Sequence, residues 1–188
     1  MENRNLPGSL APTLLLSMPQ LDDPEFHQTV VLLCEHDSNG AFGFVLNRPT
    51  STLASAVVRL DKPLSFDSGL QLWLGGPLEP YRGWVLTNKL TDDVDMLRIC
   101  EGLHLSASPT LLRRLMESPL GESRVRFLTG YAGWSPGQLD DELSASAWLT
   151  AEIDVDLIFG TDADLMWETG LRKLGADPAL LQIGHGVH

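Results

Sequence analysis

A mixed fold, with strands dominating the first two thirds and helices the last third, is what this 188-residue sequence predicts. Three observations predict it. Short apolar runs bounded by Pro, Gly and polar clusters recur between residues 13 and 105, as strands of a packed sheet do. The dipeptide Asn39-Gly40 separates two of those runs, as in a hairpin. Beyond residue 107, apolar side chains at helical spacing follow Ser-Pro pairs at 108–109 and 135–136.

Thr13–Met18 is an apolar strand closed by Pro19. Thr29–Glu35 is a second, and its unbroken Val-Val-Leu-Leu-Cys run predicts burial on both faces. The HDSNG cluster turns the chain and AFGFVLN resumes strand character, so residues 29–47 form an antiparallel hairpin. Residues 52–59 read as a short helix capped by Thr50 or Ser51, followed by a loop or lid over DKPLSFDSG. Residues 71–76 and 82–88 are two more strands around the turn GGPLEPYR, and Met96–Leu105 continues the sheet. Ser108-Pro109 opens a helix with Leu111, Leu112, Leu115 and Met116 on one side and Arg113 with Arg114 on the other. Arg124–Gly130 is a strand leading into a GYAGW turn. Ser135-Pro136 starts a helix carrying Leu139 and Leu143, with Asp140, Asp141 and Glu142 in its early turns, where carboxylates oppose the positive helix end. A last helix, Ala163–Leu174, sets Trp167, Leu171 and Leu174 on one face and stops at Gly175.

The length fits one domain over residues 1–188, with residues 1–10 expected to be flexible, and 43% hydrophobic residues supply a core. In the first half the longest apolar run, Val30–Cys34, is far short of the roughly 20 residues a membrane helix needs. With no signal-peptide pattern at the start, a cytoplasmic protein is expected. Cys34 and Cys100 lie in apolar runs without metal-ligand spacing and are expected to be buried thiols.

The net charge is −12, and from Phe127 to Leu171 there is no Lys, Arg or His against nine carboxylates. Such a chain lacks the clustered cations that neutralise phosphates, which argues against direct DNA binding. A solvated acidic surface explains the excess; attraction of a basic protein partner or a divalent cation is the sharper alternative.

Four separated motifs carry a family resemblance: LLLSMPQLDDPEFHQTVVLLCEH, GAFGFVLNRP, GGPLEPYRGWVLT, and GYAGWSPGQLDDEL followed by AWL. In their order and joint presence the chain resembles the AlgH/YqgE family of bacterial proteins over about residues 10–185. The resemblance implies an α+β fold of strongly coiled antiparallel β-sheets, partly barrel-like, with helices packed outside. It implies little about activity: members are uncharacterised, and one branch is linked to alginate regulation without a recognisable DNA-binding motif.

Two residue groups are candidates for function. Glu35 and His36, at the end of the second strand, offer acid/base or ligand groups, although neighbours on a strand point to opposite faces. Asn47 and Arg48 close the next strand; Arg48 either holds an anion bidentately or locks a loop. Gly75 and Gly76 form either a backbone anion nest or a structural turn. Together these six define a possible small-molecule or metal groove near His36 and Arg48. Tyr131 and Trp134, with Asp140, Asp141 and Glu142, form a possible partner-docking cluster. Neither GxSxG nor HExxH is present, and no catalytic residue, cofactor or metal ligand is nominated. The reading is a non-enzymatic regulatory or protein-interaction protein.

Overall fold

The computed structural model describes residues 8–183 apart from 22, 60, 119 and 120. Of the leader expected to be flexible, residues 1–7 lie outside the described residues, and the Leu10 N–H donates to His36 Nδ1 at 3.3 Å. The strands are β1 (Thr13–Ser17), β2 (Val30–Asp37), β3 (Gly40–Val45), β4 (Pro49–Leu53), β5 (Gln71–Leu74), β6 (Leu78–Thr87), β7 (Leu97–Cys100), β8 (Leu103–Ser106), β9 (Val125–Trp134) and β10 (Trp148–Ala151). The helices are α1 (Ala54–Val57), α2 (Pro109–Glu117), α3 (Gln138–Ser144), α4 (Val155–Gly160), α5 (Ala163–Lys173) and α6 (Pro178–Ile183).

One ten-stranded sheet runs in the order β10-β1-β2-β3-β9-β6-β8-β7, with β4 and β5 attached beside β9. The pairings are antiparallel except that of β5 with β9. The path is open, which corrects the partly barrel-like expectation. The physical reason lies in β9. Its second half pairs β3 and its first half pairs β5 and β6. The strands therefore form two panels whose inner faces bury Leu14, Leu16, Leu32 and Phe44 with Leu86, Leu103 and Leu128 in one shared core, and the end strands do not pair with each other.

The run Val30–Cys34 is buried on both faces, as its composition predicts. Alternate residues divide between two cores: Val30, Leu32 and Cys34 face α4 and α5 through Leu157, Ile158, Met166, Trp167 and Leu171, while Val31 and Leu33 face Leu139 of α3. Cys34 is buried, and burial pushes its thiol well above the ordinary range; Cys100 is only half-buried. A third core sets Leu111, Leu112 and Met116 of α2 on Leu72, Val85 and Phe127. That helix starts as predicted, with Pro109 in its first turn and Ser108 Oγ accepting from Leu111 N.

Several predicted elements differ. The hairpin forms, with Ser38-Asn39 as its connection and Gly40 already paired with Asp37. The predicted GYAGW turn is a continuation of β9, bent at Gly130 with φ +69°. Residues 49–53 form β4, leaving α1 a single turn capped by Leu53 without a side-chain hydrogen bond; Thr50 instead donates its hydroxyl to Leu72 O across to β5. Met96–Leu105 continues the sheet as expected, in the form of a hairpin of β7 and β8. The strand predicted over 82–88 begins earlier, at Leu78, with a register shift between Leu78 and Gly83. The helix after Ser135-Pro136 starts at Gln138 behind Gly137. In α5, Trp167 and Leu171 are buried, but Leu174 falls outside the helix and is partly exposed.

A cleft walled by the connection between the first two strands

Residues 17–21, 23, 24, 27 and 28, at the end of β1 and in its connection to β2, wall a cleft of about 1120 Å³. Met18, Leu21, Pro24 and Trp167 give it apolar surface, and Gln20, Asp23, His27 and Gln28 its polar groups. Trp167 reaches it from α5, its indole N–H donating to Ser17 O at 2.8 Å. Pro24–Phe26 is a single 3-10 turn capped by Asp23, whose carboxylate accepts from Glu25 N at 2.9 Å. The wall returns to β2 through Gln28, whose φ of +51° is a left-handed conformation that side chains disfavour. Two side chains hold it there. The Asn47 amide donates to Gln28 O at 2.9 Å and accepts from Val30 N at 3.0 Å, and Arg48 donates to His27 O at 2.5 Å.

Asn47 and Arg48 thus position the cleft wall by gripping its carbonyls. Ser17, His27 and Asp23 also meet here, the residue types of a hydrolytic triad, but without its geometry. Ser17 is 2% exposed and its hydroxyl accepts from Thr29 N at 2.8 Å. Among the described residues, no hydrogen bond or ion pair joins His27 to Ser17 or to Asp23. A nucleophile needs its base within hydrogen-bond reach. Among the described residues, these three side chains form no hydrogen-bonded relay.

Of the remaining nominated residues, Gly75 lies beside Arg48, whose carbonyl accepts from Leu74 N at 2.9 Å, whereas Glu35 and His36 lie apart. His36 stands at the turn end of the β2–β3 hairpin and Asn47 at its open end, about 20 Å apart at strand rise. The six-residue groove expected from the sequence is therefore not assembled. His36 is 8% exposed and lies between Leu10 N, which donates to Nδ1, and the Asp140 carboxylate, 3.5 Å from Nε2. Glu35 points outward, as strand alternation requires. At Gly75 the N–H already donates to Thr129 O at 2.7 Å and the carbonyl accepts from Val45 N. A Cβ there would lie 2.5 Å from Gly130 O, and one on Gly76, at φ +151°, would overlap the Tyr131 backbone. Both glycines serve close passage of β9.

The proposed docking cluster is divided: Trp134 is buried, Tyr131 and Glu142 are half-buried, and Asp140 and Asp141 are exposed. Glu142 accepts from the indole N–H of Trp134 at 2.9 Å and of Trp148 at 2.7 Å, both rings being buried. Asp140 faces His36, and Asp141 remains exposed. Tyr131 instead joins Phe42 and Trp84, at 5.0 Å between its ring and that of Phe42. Among the described residues, no group of three or more His, Cys, Asp or Glu side chains is placed to hold a metal ion.

Sequence reasoning also missed Arg126. Its guanidinium donates to Leu46 O and Ile158 O, stacks 3.9 Å from the Trp73 ring centroid, and is held by burial at a pKa of about 10, still a cation at neutral pH. It joins the end of β3 to α4. Its placement in an otherwise apolar strand, VRFL, was the available signal.

A family model described as AlgH-like matches residues 14–179. A protein of Myxococcus xanthus named as UPF0301 is 39% identical over 96% of this chain and 99% of its own length. A UPF0301 protein of Xanthomonas oryzae is 36% identical over 92% of this chain and 93% of its own. The solution structure of the AlgH protein from Pseudomonas aeruginosa superposes with a TM-score of 0.77 at 32% identity, covering 99% of this chain and all of that one. A crystal structure from Corynebacterium diphtheriae shares the fold, with a TM-score of 0.66 at 20% identity over 97% of this chain and 93% of that one. With the match spanning β1 to α6 and relatives aligned nearly end to end, the chain belongs to the AlgH-like family of uncharacterised bacterial proteins.

Proposed function

We propose that this chain is a non-catalytic binding protein that docks a partner protein in the cleft of residues 17–28, and that any regulatory effect runs through that partner rather than through DNA. One observation carries the reading. The cleft wall is held in a disfavoured backbone conformation by Asn47 and Arg48, while Ser17 beside it is locked to the Thr29 backbone. A strained wall around a concavity is a feature of binding sites. The net charge of −12 favours a basic partner.

Affinity capture with the wild-type chain and with Gln20→Arg tests this, because Gln20 is exposed at the cleft and arginine there adds bulk and repels a basic partner. A partner held by the wild type and lost with Gln20→Arg supports docking. Turnover of a metabolite that disappears with His27→Ala overturns it.

A further inference from the structure

Resting on the docking reading, we infer that the cleft takes an extended peptide segment of the partner, with a basic side chain against Asp23 and an apolar one against Leu21 and Pro24. The polar groups specify this chemistry. Gln20, His27 and Gln28 face the cleft, and among the described residues none of their side chains has a hydrogen bond within the protein. A primary amide offers one acceptor and two donors, which complements the alternating C=O and N–H groups of an extended backbone. Two such amides on one cleft match a peptide better than they match a phosphate or a sugar acid.

Charge selects the side chain. Asp23 contributes a carboxylate to the cleft, and no Lys or Arg lines it among the described residues. A cationic side chain is attracted there and an acidic one is repelled. Leu21 and Pro24, with the edges of the buried Met18 and Trp167 behind them, supply the apolar surface that a leucine-like side chain covers.

The test uses the full chain, labelled with nitrogen-15, and two capped hexapeptides of alternating leucine and alanine that differ in one central arginine or glutamate. The readout is the Trp167 indole N–H resonance, whose hydrogen bond to Ser17 O lies at the cleft. The arginine peptide should shift it saturably and bind about fivefold more tightly than the glutamate peptide, the scale of one partly exposed ion pair. Asp23→Asn retains an oxygen for the Glu25 N–H and should remove that preference. Gln28→Gly suits the left-handed backbone, removes the amide, and should weaken both peptides alike. Equal binding of the two peptides, or a preference that survives Asp23→Asn, overturns the inference. If neither peptide moves the Trp167 signal while capture remains sensitive to Gln20→Arg, the peptide chemistry falls and docking stands; if capture is insensitive as well, both fall.

Discussion

Glu142 shows why the GYAGW…DDEL…AW motif holds together as a unit. One carboxylate oxygen receives two buried indole N–H groups, and the other receives the Gln138 amide at 2.9 Å. Glu142→Ala leaves both indoles without their acceptor and should lower the unfolding free energy by about 2–4 kcal/mol, read from urea denaturation. Aspartate at the same position is too short to reach both rings and should rescue only part of the loss. His104 makes a pH prediction. It lies across from Thr87 and Arg98, its Nδ1 is buried without a hydrogen-bond partner among the described residues, and burial, with the Arg98 charge second, lowers its pKa below the ordinary 6.5. The unfolded chain therefore binds a proton more readily than the folded one just below pH 6.5. Stability should fall as the pH drops from about 6.5 through the lower folded value, and flatten beneath it. His104→Gln should lose that part of the slope in urea midpoints measured against pH.

At the scale of the element, β9 is the strand on which the two panels depend. Gly130 sits at φ +69°, and a Cβ there would overlap the Gly76 carbonyl. Gly130→Ala should destabilise the fold by about 3 kcal/mol or more, a cost that adds left-handed strain to a backbone clash; circular dichroism melting curves check it. Glycine at this position was visible in the sequence, but its reading as a turn was wrong. A left-handed glycine ends a strand or bends it, and only the partners on each side decide between them. The same reason explains β4: residues 49–53 have weak local preference, and pairing with β5 made them a strand. Elements with strong local signals were legible, including β2 through its apolar run and α2 through Ser108-Pro109. The free part of β6 also shows how an edge is kept from aggregation. Beyond its pairing with β8, the stretch from Leu78 to Gly83 carries Glu79, Pro80 and Arg82 and a register shift, which disfavour addition of another strand.

For the whole molecule, charge is the property most easily tested. Thirteen basic residues offset only part of 25 acidic ones, and like charges destabilise a compact state. Added sodium chloride up to about 0.3 M should raise the thermal midpoint by a few degrees through screening, and should at the same time weaken binding of a basic partner. Three of the nine carboxylates between Phe127 and Leu171 have cationic partners: Asp154 caps α4 and pairs Lys173, Asp156 pairs Arg124, and Glu168 pairs Arg172. Asp141 and Asp162 remain exposed without such a pair among the described residues.

By itself the sequence determined the family, the mixture of strands and helices, the two-faced burial of β2, the hairpin and the start of α2, because each rests on residues close together in the chain. It also pointed to Asn47 and Arg48 as residues with a task. The tertiary structure decided what that task is, carrying the His36 end of the hairpin away from the cleft and bringing Trp167 to Ser17 across 150 residues. It also decided that Trp134 is buried, with the half-buried Glu142 as its acceptor, and that the sheet stays open. Those outcomes depend on which distant segments meet, and that is set by burial of the shared core rather than by any local preference.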